Sequence, residues 1–179
     1  MGAFVIVAVG AAAWRYGAAR ATRWSAIAAR LPATRVADLV EGKQVKVVGV
    51  VEQRETIAAP LTQRPCVAWT VRAVAADGGW VLDRIARSAA SAFWLRDDDG
   101  GRVLVHGERA ALVVATGNAI SAAREAGVVQ REALLVPGDR IAVVGMVQRE
   151  LDPGGVTMYR EAPTRLVLDG IPLWLLPAS

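Results

Sequence analysis

The chain has one cysteine, Cys66, and one histidine, His106. A single cysteine excludes an intramolecular disulfide, so the sequence gives no sign of relying on an oxidising compartment. The same scarcity excludes a zinc site built from several Cys and His ligands. Tyrosine and phenylalanine number only two each, and the 54% apolar content is carried largely by alanine and valine. Glycine-rich phosphate loops of the Walker or dinucleotide type are missing, as is the βαβ alternation that would support one. What remains is a folding composition, with 21% charged residues and enough length for one core plus an appendage.

The net charge of +4 resembles a nucleic-acid signal until it is placed along the chain. Arg15, Arg20, Arg23, Arg30 and Arg35 stand against Asp38 alone in residues 1–40, which accounts for the whole excess. Residues 41–179 are therefore electrically balanced. A domain that grips a phosphate backbone concentrates cationic charge on itself, because counterion release drives that binding. Nucleic acid is not the expected partner.

Residues 2–14 form an uninterrupted run of small and apolar side chains that Arg15 ends. As a helix the run spans about 20 Å, short of a hydrocarbon core of about 30 Å. Snorkelling by Arg15, with Trp14 and Tyr16 at the interface, lengthens its reach. A cleaved signal peptide fits less well, since no positive charge precedes the apolar run; a soluble helix is the third reading. Residues 1–16 are thus expected to anchor the chain in a membrane as a single pass. Arg15, Arg20, Arg23 and Arg30 follow the run, and positive-inside bias then puts the rest of the chain in the cytoplasm. Residues 17–34 read as a basic juxtamembrane helix or linker that Pro32 stops.

From Val36 onward the periodicity becomes strand-like. Residues 43–51 and 141–147 are rich in valine and echo each other: Gly42 to Gly49 and Gly138 to Gly145 share one spacing, and a Val-Val pair precedes each second glycine. An internal duplication would explain the echo, but two strands meeting one geometric demand explain it more simply, since glycine within a strand marks a bulge or a sharp coil. Further strands are expected at 66–74, 80–87, 92–96, 102–106, 109–114, 156–161, 165–168 and 173–176, and one helix at 119–126. Many short strands with turns between them predict a mainly β domain over 35–179, an OB-like small barrel or sandwich with an inserted excursion, preceded by an N-terminal helix.

Three places invite a chemical reading. Asp97, Asp98 and Asp99 lack the alternate ligand spacing of a calcium loop and read as a solvated hairpin turn. His106 with Glu108 has no nucleophile beside it. Cys66 has no base near it in sequence and reads as a buried thiol. No catalytic residue, cofactor, metal or small-molecule substrate is expected.

The segments in order resemble the GIDE domain, a module of bacterial membrane proteins and of a eukaryotic mitochondrial ubiquitin ligase. The matching stretches are Val36-Ala37-Asp38-Leu39 with Glu41-Gly42-Lys43, the strand holding Gly49, and Pro60-Leu61-Thr62 with Arg64-Pro65-Cys66-Val67. They continue with Phe93-Trp94-Leu95-Arg96-Asp97, then Arg131-Glu132-Ala133-Leu134-Leu135 leading into Pro137-Gly138-Asp139-Arg140 and Gly145. The resemblance implies a β-rich, OB-like domain beside a membrane. In the eukaryotic ligase, ubiquitin transfer depends on a separate zinc-binding RING, which one cysteine and one histidine cannot supply. The expectation is a non-catalytic interaction or scaffold module with an unidentified protein partner.

Overall fold

β-branched side chains set the first strand, β1 (Gln44–Glu52), whose alternate positions Val45, Val47, Gly49 and Val51 turn inward. In this computed structural model the residues described are 30–75, 84–109, 119–125, 128–152 and 164–177. After β1 come the short β2 (Ile57–Ala58) and β3 (Pro65–Cys66), then β4 (Ala68–Ala75), β5 (Arg84–Ala90) and β6 (Ala92–Arg96). The chain continues through β7 (Arg102–His106), β8 (Ala119–Glu125), β9 (Val128–Leu135), β10 (Arg140–Leu151) and β11 (Thr164–Pro177). It divides into two compact units, Met1–Pro32 and Ala33–Ser179, and all of these strands belong to the second.

Five strands close into a barrel in the order β1-β10-β11-β7-β6. Every neighbouring pair is antiparallel except β11 with β7, which run parallel. Inside lie Val47, Val51, Phe93, Leu95, Val103, Val105, Ile141, Val143, Val147 and Leu168, all essentially sealed from solvent. The excursion between β1 and β6 and the one between β7 and β10 meet outside this ring. They form a second sheet of four strands in the order β5-β4-β9-β8. Val67 N donates to Leu135 O at 2.9 Å, and Ser91 N donates to Val67 O at 2.8 Å, extending the β4–β9 and β4–β5 pairings by one residue. Val67, Ala68 and Leu135 complete the barrel core.

The two echoing glycines answer different local demands. A Cβ at Gly49 would collide with the backbone carbonyl of Arg96, where β1 leaves β10 and takes up β6 as its partner. Gly145 sits where the register between β10 and β11 shifts, between Val144 and Met146.

Several expectations are corrected. Residues 119–125 are a strand, not a helix: the alanine-rich segment pairs with β9 from Ala119↔Ala133 to Glu125↔Val128. Cross-strand pairing overrides a modest helical propensity there. Residues 36–38 form a short 3-10 turn rather than extended chain. The two strands expected at 165–168 and 173–176 are one strand, β11. The strand expected at 66–74 is interrupted after Cys66, and the one expected at 80–87 extends to Ala90, its residues 80–83 lying outside the described residues. Arg109 closes a 3-10 turn. The rest of the expected 109–114 strand, the 156–161 strand and the N-terminal helix up to residue 29 lie outside the described residues.

Candidate functional site

The residues singled out by the sequence are mostly turn and clasp residues. Gly42 and Gly138 adopt φ of 77° and 97°, the left-handed region that glycine enters at little cost. Asp139 Oδ2 accepts from Val136 N at 2.9 Å and Asp139 O accepts from Val51 N at 2.9 Å, so the Pro137-Gly138-Asp139 turn is strapped to the end of β1. Phe93 fills the barrel core. Arg30 is exposed, and Arg15, Arg20 and Arg23 lie outside the described residues. Among the described residues no helix is long and apolar enough to cross a membrane.

The aspartate triplet departs from the solvated turn expected of it. Asp97 is buried: its carboxylate accepts from Val36 N and Gly101 N, each at 2.7 Å, and pins the segment before β1 to the β6–β7 hairpin. Asp98 takes both terminal nitrogens of Arg140 at 2.7 Å, an exposed bidentate pair that lowers its pKa. Asp99 faces Arg35 at 3.5 Å. Each carboxylate is already engaged by a donor.

Cys66 and His106 are not brought together. Cys66 is sealed with Ala59 and Leu134, and burial, assisted by the charge of Glu132, pushes its thiol up to about 11. Such a thiol is a poor nucleophile at neutral pH. Glu132, quoted from sequence only as part of a motif, is a fully buried carboxylate on β9. It accepts from Leu61 N at 2.8 Å, Thr62 N at 3.1 Å and Thr62 Oγ1 at 2.6 Å, which fixes the tip between β2 and β3. Arg64 and Pro65 are exposed beside that tip. The available signal was parity: Glu132 shares its strand face with buried Leu134.

His106 ends β7 between two carboxylates, with Nδ1 3.3 Å from Glu108 and Nε2 2.7 Å from Glu150. Arg165 meets the other oxygen of Glu150 at 2.6 Å and Asp152 at 3.3 Å. Burial alone would raise the Glu150 pKa, but hydrogen bonds from His106 and Arg165 outweigh it and hold the carboxyl below its ordinary 4.5. A carboxyl depressed by folding adds stability above its ordinary pKa and loses it as pH falls through the folded value. Melting curves of the protein and of Glu150→Gln are therefore expected to differ at neutral pH and to converge in acid below about 4.5. A gap that stays constant into acid would show that this network does not link Glu150 to folding.

The most distinctive side-chain cluster lies on the outer face of the barrel. β6 and β7 point Phe93, Leu95, Val103 and Val105 inward, so Trp94, Arg96 and Arg102 fall outside. Trp94 roofs a small second cluster of Ala92, Leu104 and Val167. The guanidiniums of Arg102 and Arg165 sit 5.1 and 5.5 Å from its ring centre. Glu52 on β1 accepts from Arg96 Nε at 2.7 Å and meets Arg102 Nε at 2.8 Å. Tryptophan and arginine at the middle of a patch are the side chains that most often anchor protein partners.

No family model, curated protein or solved structure matches this chain.

Proposed function

We propose that this chain is a membrane-anchored, non-catalytic interaction module that docks a protein partner beside the bilayer. The observation that carries the reading is the division of charge: an apolar run followed by arginines, then a balanced β body. Its β domain is an OB-type barrel with an inserted excursion. In chain order the ring strands run first, second, third, fifth, fourth, with the parallel pair between third and fifth, as in an OB barrel. The resemblance to the GIDE domain supports a β-rich domain beside a membrane, and the arginines that follow the apolar run put the barrel on the cytoplasmic side.

The full-length protein is expected in the membrane fraction, resistant to alkaline carbonate and released by detergent. Recovery wholly in the soluble fraction with residues 1–30 intact would remove the anchor. A second reading, an OB-type nucleic-acid binder, is favoured by a tryptophan on the second strand of the ring, where bases stack in such barrels. The carboxylates of Glu52, paired with Arg96 and Arg102, and of Glu150, paired with Arg165, flank that tryptophan and speak against it.

A further inference from the structure

Arg96 and Arg102 stand directly opposite each other across the β6–β7 ladder. Like charges in that position destabilise a sheet. A single carboxylate, Glu52, lies between them, leaving one positive charge in excess. Both guanidiniums meet Glu52 through Nε, and among the described residues no hydrogen bond takes up their terminal nitrogens. Both side chains are about half exposed, at 48% and 51%. Folding therefore holds two guanidinium forks side by side, at some expense to the sheet, with Trp94 alongside.

We propose that this face binds an acidic segment of a protein partner, one carboxylate seated on the Arg96–Arg102 forks and an apolar neighbour lying against Trp94. The proposal rests on the interaction-module reading and names the surface it uses. Paired guanidiniums fit a carboxylate in the bidentate fashion that a lysine cannot match. The excess charge is a single one and carboxylates flank it, which suits an isolated acid better than the evenly spaced phosphates of a nucleic acid. The face is also open. Arg96 and Arg102 are about half exposed and Trp94 is partly exposed, so a peptide can reach all three.

The test uses the full-length protein in detergent micelles, where binding can be read whether or not the chain anchors in cells. A displayed library of random short peptides is selected on it, and the enriched peptides are measured by fluorescence anisotropy at low salt. Asp or Glu beside leucine or an aromatic residue is expected in the winners. Their Gln counterparts, and binding to the Arg96→Gln/Arg102→Gln protein, are expected to be weaker by about tenfold or more. Arg149→Gln, whose partner Glu41 lies elsewhere, should bind as the unmodified protein does. The double variant should melt within a few degrees of the unmodified protein, because relief of the like-charge opposition offsets the loss of two half-exposed pairs to Glu52; a large drop would make the arginines structural instead. The proposal is overturned by absence of enrichment, by winners without acids, by unchanged affinity in the double variant, or by an oligothymidylate that outcompetes the peptides.

Discussion

Glu132→Ala is expected to lower the stability of the β domain by about 3 kcal/mol, a drop of roughly 6–12 °C in melting temperature. The carboxylate is the acceptor for two backbone N–H groups and one hydroxyl. Hydrogen bonds to a charged acceptor contribute about 1.5–3 kcal/mol each. Their sum overstates the loss, because Leu61 and Thr62 are only partly buried and water reaches them once the tip relaxes. Thr62→Val removes one of the three bonds and should cost about 1 kcal/mol. A second readout separates this clasp from a general loss of packing. Cys66 is held unreactive first by burial and then by the charge of Glu132, so Glu132→Ala removes one cause and weakens the other. Alkylation of Cys66 under native conditions should speed up markedly in Glu132→Ala and much less in Thr62→Val. Equal labelling rates in all three proteins would mean that Glu132 does not guard the thiol.

How much of this was legible in the sequence depends on how far apart the cooperating residues lie. Alternation is local, and it placed β6 and β7 to the residue, since Phe93, Leu95, Val103 and Val105 mark one face unambiguously. It missed β8, where Ala119–Glu125 carries no β-branched rhythm beyond one isoleucine and the strand exists because β9 pairs with it. The outer face was illegible for a different reason. Glu52 and Arg96 are 44 residues apart, as are His106 and Glu150, and each pair meets only because the ring closes across an excursion. No local spacing encodes that. In the sequence Asp97 looks like a solvated acid, because its partners, Val36 N and Gly101 N, are backbone groups that a sequence does not advertise. Glu132 was legible in principle. An acid at an inward position of an apolar strand is costly unless donors surround it, so its parity with Leu134 already implied a clasp.

Phe93→Ala is expected to be among the most damaging single substitutions in the barrel, at about 3–5 kcal/mol. Phe93 is fully buried among Val51, Leu95, Val105 and their neighbours, so removing its ring forfeits the transfer free energy and leaves a cavity that a closed ring of strands cannot easily collapse. The adjacent residue provides the internal control. Trp94 has a larger side chain, but it faces outward over Ala92, Leu104 and Val167 and remains partly exposed. Trp94→Ala should therefore cost less than Phe93→Ala despite deleting more atoms. Denaturant unfolding of the two variants tests the inside–outside assignment of β6 directly. A slip of one residue in the strand would exchange the two faces and invert the order. With Phe93 the costlier loss, Arg96 must fall on the outer face with Trp94, two residues away, and opposite Arg102. An inverted order would bury Trp94 and Arg96 instead, and the two-arginine face would have no surface on which to meet a partner.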